Sequence, residues 1–88
     1  MQSVKELADL RGVLAQQAIG QFRLEIDAII QEKCLDSNRI EYTLDRVLDF
    51  CFDPGILSLY KKLCRYYFPL NPLATASYID AYREFWDS

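Results

Sequence analysis

"DPGILSLYKKLCRYYFPLNP", residues 53–72, decides how this chain is built. Both ends carry the same device, a short oxygen-bearing side chain followed by proline: Asp53-Pro54 and Asn71-Pro72. Such an oxygen accepts a backbone N–H at a helix start, and proline at the first helical position lacks only a donor that would have no partner there. Between the two devices, Ile56, Leu57, Leu59, Tyr60, Leu63, Cys64 and Tyr67 share one helical face. Ser58, Lys61, Lys62 and Arg65 take the other. That period is helical and does not fit strand alternation. The stretch predicts a helix over 54–68, a stop at Pro69, and a new helix from residue 72.

Towards the carboxyl end, Ala74, Thr75, Tyr78, Ile79, Tyr82, Phe85 and Trp86 fall within about 140° of arc on a 3.6-residue period. A helix over 72–86 is predicted, with Asp80, Arg83 and Glu84 pointing away. A base-stacking surface would need basic neighbours to hold phosphates. Here Arg83 stands among Asp80, Glu84 and Asp87, so the rings read as a face that docks on protein.

Towards the amino end, "LDSNRIE" at 35–41 is a turn in which Ser37 or Asn38 can cap a helix over 39–52, with Glu41 three residues after Asn38. Ile40, Leu44, Val47, Leu48 and Cys51 form its apolar face. Before it, "SVKE" has the capping-box form, Ser3 with Glu6, and nothing stops a helix over 4–34. Val4, Leu7, Ala8, Ala15, Ala18, Ile19, Phe22, Ile26, Ile29 and Ile30 share its broad apolar arc, while Leu10, Val13, Leu24 and Ala28 form a weaker flanking strip. Gly12 and Gly20 each cost about 1 kcal/mol relative to Ala in a helix interior. A break at Gly20 is the alternative to one long helix.

The whole reads as a single all-α domain over 1–88, a small four-helix bundle with a long amino-terminal helix, completed by dimerisation. Eighty-eight residues have room for one core. With 51% hydrophobic and 26% charged residues the chain is globular rather than disordered. The formal charge of −3 lacks the basic footprint of a phosphate-backbone binder, which argues against nucleic acid. Cys34, Cys51 and Cys64 form no CxxC pair, and there is no histidine to complete a zinc site. Free thiols then point to a reducing cytoplasm. The amino terminus is unlike a signal peptide, and no apolar run is long enough to span a membrane.

Chemistry finds little footing. Without histidine the usual general base is missing, so no enzyme activity, cofactor or metal is expected. Glu41, Asp45 and Asp49 at i, i+4, i+8 hold a hard cation at best weakly, and read instead as a solvated acidic face. Lys61, Lys62 and Arg65 beside Tyr66 resemble a nucleic-acid contact, and the second and third helices can be read as a helix-turn-helix. That makes a DNA-binding regulator the alternative function, with mimicry of nucleic acid by the acidic face a weaker third. Three cations give only modest counterion release.

The main expectation is a non-enzymatic protein-interaction module, an accessory or regulatory subunit. A globule of this size is about 30 Å across, whereas an unbroken helix over 4–34 extends about 46 Å. Three shorter helices cannot sheath it, so a second polypeptide, most simply another copy in a homodimer, covers the remainder. The contact residues expected are Ile19, Phe22 and Ile26 on the first helix, with Tyr82 and Trp86 on the last.

Overall fold

Asp53 and Asn71 behave as their positions predict. Asp53 Oδ2 accepts the N–H of Ile56 at 3.0 Å, and Asn71 Oδ1 that of Ala74 at 3.1 Å. In the computed structural model, which describes the backbone of residues 4–86 and the side chains of residues 16–86, they open the third and fourth of four helices. In chain order these are α1 (Val4–Gln31), α2 (Ser37–Leu48), α3 (Pro54–Tyr67) and α4 (Pro72–Trp86). The protein is all-helical, with no strand among the described residues. The Ser3–Glu6 capping box and the side chains of Leu10 and Val13 lie outside the described residues.

α1 is one helix, unbroken at Gly20, and 28 residues make it about 42 Å long. It ends three residues earlier than the pattern suggests. Lys33 takes a left-handed backbone, φ 53°, while Cys34 N–H returns to Ile29 O at 3.0 Å and Lys33 N–H to Ile30 O at 3.2 Å. This pair of bonds satisfies carbonyls that the helix end would otherwise leave open. Glycine usually fills that position, and a lysine there costs about 1–2 kcal/mol.

α2 departs from expectation at both ends. Its cap is Asp36, whose side chain accepts from Asn38 N–H at 3.0 Å, so Ser37 and Asn38 are already inside the helix. It ends at Leu48 instead of residue 52, because Phe50 N–H turns back to Val47 O at 3.0 Å and Cys51 N–H to Leu48 O at 3.3 Å. That turn swings the Phe50 ring to 5.6 Å from Phe22.

Cross-helix bonds fix the register. Ile19 sits over Gly55, Lys62 Nζ donates to Asp27 at 2.8 Å, and Tyr66 Oη donates to Cys34 O at 2.7 Å; α1 and α3 therefore run parallel. α2 runs antiparallel to α1, with Arg39 on Glu32 at 2.9 Å and Arg46 on Glu25 at 3.0 Å. α4 doubles back across α3 and α2, held by Tyr60 Oη on Tyr78 O at 2.7 Å and Trp86 Nε1 on Leu48 O at 2.9 Å. The core lies between α1, α2 and α3, where Ile26, Ile29, Ile40, Leu44, Val47, Ile56 and Leu63 are fully buried. Removing each from water contributes about 1.5–3 kcal/mol, as an upper bound.

The shape is elongated. The radius of gyration is 14.3 Å and the long axis 50 Å, against about 12 Å expected for a compact chain of this length.

The two glycines near the α1–α3 contact behave oppositely. A Cβ on Gly20 would have nothing within 4 Å, whereas one on Gly55 would stand 2.5 Å from Ile19 Cδ1 and 3.0 Å from the capping Asp53 carboxylate. Gly20→Ala is therefore expected to stabilise the fold by up to about 1 kcal/mol in urea unfolding, the helix-interior difference between the two residues. Gly55→Ala gives no such gain; equal stabilisation by both would contradict the close approach of α1 to α3.

Candidate interaction surfaces

The residues expected to meet a partner are split by the fold. Phe22 and Ile26 are 3% and 0% exposed, spent inside the chain's own core; this corrects their assignment as contact residues. The reason is register. α2 and α3 cover the carboxyl-terminal half of α1, and that half holds both side chains. Ile19 is half-buried at the edge of this cover. Leu24, on the flanking strip, is 73% exposed.

Tyr82 and Trp86 are placed differently. Tyr82 is half-buried with its ring 6.3 Å from that of Tyr60. Trp86 closes the end of the bundle. Its indole N–H donates to the Leu48 carbonyl at the end of α2, which Cys51 N–H also reaches, and its ring lies 6.0 Å from Phe52 in a series that continues through Phe50 to Phe22. Aromatic rings at such separations attract beyond their area burial, and an indole N–H needs an acceptor when it leaves water. The rings of α4 thus hold the molecule together first, with Trp86 40% exposed.

Between α3 and α4 runs an apolar groove of about 320 Å³. Leu57, Cys64 and Phe68 form one wall, and Thr75, Ile79 and Tyr82 the other. The seven-residue interval from Leu57 to Cys64 recurs from Thr75 to Tyr82, so each wall presents a row that could receive a further helix. The polar atoms here are already engaged: Tyr60 Oη on Tyr78 O, and Thr75 Oγ1 on Asn71 O at 2.9 Å. Among the described residues no buried side-chain nitrogen or oxygen lacks a partner. Sequence reading missed the groove, because the same spacing also describes a helix buried against its neighbours.

The basic cluster of α3 is divided as well. Lys62 is tied to Asp27 of α1, while Lys61 and Arg65 stand at the rim of the groove with no ion pair among the described residues. Two free cations remain where three were counted, on the helix most enclosed by neighbours. On α2, Glu41 accepts the Tyr67 hydroxyl at 2.6 Å, so it faces inwards rather than joining Asp45 and Asp49 in an open strip. Among the described residues no three acidic or cysteine side chains gather closely enough to hold a metal ion. Arg46 holds both oxygens of Glu25 and stacks 5.4 Å over Phe22 and 5.5 Å over Tyr42, which pins α2 to α1.

Titration is governed by burial. Burial pushes the Cys51 thiol up to about 12, with the neighbouring Cys64 and Asp49 adding to it, and Cys64 up to about 11. The Tyr60 and Tyr78 hydroxyls are raised for the same reason, and Tyr67 by burial and then by its bond to Glu41. Such thiols are poor nucleophiles at neutral pH.

No described helix is long and apolar enough to cross a membrane. Neither a family model, nor a curated protein, nor a solved structure matches the chain.

Two outcomes follow from the thiols. Cys34 is half-buried and the other two are buried, so an aromatic disulfide reagent at mildly alkaline pH should titrate one thiol quickly in the native protein and three after unfolding. Because the folded state holds the Cys51 and Cys64 protons more tightly than the unfolded chain does, their contribution is complete below the ordinary thiol range and is lost as pH rises through the folded values. Melting temperature should fall progressively above about pH 9, and Cys51→Ala should shift that decline to higher pH.

Proposed function

We propose that this protein works by binding another polypeptide, as a non-enzymatic accessory or regulatory subunit, and that α1 carries the contact beyond the bundle. The observation that supports this is the parallel register of α1 and α3. Ile19 lies level with Gly55, at the very start of α3. The fourteen helical residues Val4–Gln17 therefore extend past that level, about 21 Å at 1.5 Å per residue.

A lone helix of that length is marginal in water, since helices in proteins draw most of their stability from packing on a neighbour. Its sequence carries the apolar arc of Val4, Leu7, Ala8 and Ala15 up to the point where the bundle's own cover begins. A projecting amphipathic helix is the form in which many partners are recognised, laid into a groove or paired with a second helix. The free thiols suit a reducing compartment such as the cytoplasm.

Site-specific photocrosslinking tests the reading. A benzophenone side chain placed at Gln17, exposed at the root of the projection, should give a covalent adduct with a discrete second polypeptide in the cells that express the protein. The same group at Asn38, exposed at the opposite end, should not. No adduct from Gln17, or equal adducts from both positions, would remove the proposal.

A further inference from the structure

The groove between α3 and α4 is apolar in depth and charged with one sign at its edge. Three buried side chains reach into it, and none has a hydroxyl proton to offer. Tyr60 Oη donates to Tyr78 O, Thr75 Oγ1 donates to Asn71 O, and Cys64 brings only a thiol. Lys61 and Arg65, exposed and one helical turn apart, line the edge. No acidic residue lines it, and neither cation is ion-paired among the described residues. The volume of about 320 Å³ falls within the range of small-molecule sites.

We infer that this groove binds a single-chain amphiphile with an anionic head, a free fatty-acid carboxylate, its alkyl chain between α3 and α4 and its head held by Lys61 and Arg65. Residues four apart on a helix set their Cβ atoms about 5–6 Å apart, so two long cationic side chains can reach one carboxylate. Arg65 already bears on the deep part, since its charge acts on the Cys64 thiol and opposes the upward push of burial there. An alkyl chain asks for no hydrogen bond, and the groove follows α3 from Leu57 to Phe68, about 16 Å. Phe68 and Ile79, 55% and 37% exposed, are the apolar surfaces such a chain would cover. Their burial supplies affinity, and the two cations fix which way the ligand lies.

A peptide helix suits the groove less well. It is about 10 Å across and can send only side chains into a hollow of this size, whereas an alkyl chain enters whole. The cations are also gathered at one place on one wall, which matches a single head group. The site uses no residue of α1, so its occupancy and crosslinking from Gln17 are separate readouts.

Decanoate, titrated below its micelle-forming concentration into the isotope-labelled protein and followed by amide NMR, tests the site. Saturable one-to-one shifts are expected at the amides around Cys64, Thr75 and Ile79. Decyltrimethylammonium, with the same chain and the opposite charge, should bind at least tenfold more weakly. Lys61→Gln with Arg65→Gln should weaken decanoate about tenfold, the loss of two exposed charge contacts. The melting temperature should stay unchanged in that variant, because neither side chain has an ion pair to lose. Absent saturation, shifts spread over the whole surface, equal binding of the cationic chain, or indifference to loss of both charges would each overturn the inference. So would a wild type of twice the chain mass in light scattering whose groove amides ignore decanoate, since a second copy would then be the occupant. An acidic helical peptide that shifts these amides where decanoate does not would overturn it equally.

Discussion

Because α1 and α3 lie side by side pointing the same way, the first turn of α3 marks where the body of the molecule ends on α1. Everything at that end is arranged around this level. Gly55 lets Ile19 come close, Phe22 joins the rings of Phe50 and Phe52, and Trp86 closes the edge with its bond to Leu48 O. Past it, α1 continues for half its length. Short helices of 12–15 residues cannot match one of 28, and the excess has to emerge at one end.

A second theme is the work given to aromatic donors. Tyr60, Tyr78 and Trp86 each donate to a backbone carbonyl on another helix, Tyr66 donates to Cys34 O in the connector after α1, and Tyr67 donates to Glu41. In a domain this small, apolar burial alone leaves a thin margin. Large rings add area, and each polar tip keeps an acceptor as its ring leaves water, where an unpaired donor would cost free energy. The same residues that look in sequence like a ligand platform are thus part of the framework. What the framework leaves unused is the projection of α1, the exposed Leu24 and the apolar groove between α3 and α4.

The sequence determined the helical class, the order of four helices and two of the caps, because these rest on local physics. A proline after Asp53 or Asn71 admits few backbone conformations, and apolar spacing at 3.6 residues shows whatever the helix packs against. Local reading faltered where several residues offered the same chemistry. Asp36, Ser37 and Asn38 can all cap, and the choice of Asp36 follows from where α2 must start to set Ile40 in the core. Lys33 in a left-handed conformation has no signal, since glycine is absent there.

Only the tertiary structure decided which apolar and charged residues are spent and which are free. Phe22 and Ile26 are indistinguishable by pattern from surface anchors, yet α2 and α3 cover them. Lys62 and Lys61 are neighbours in the chain, but one is held by Asp27 of α1 and the other borders the groove. The physical reason is that periodicity reports a direction around one helix axis. What occupies that direction depends on the offset between helices, and that offset is set by contacts between residues far apart in the chain.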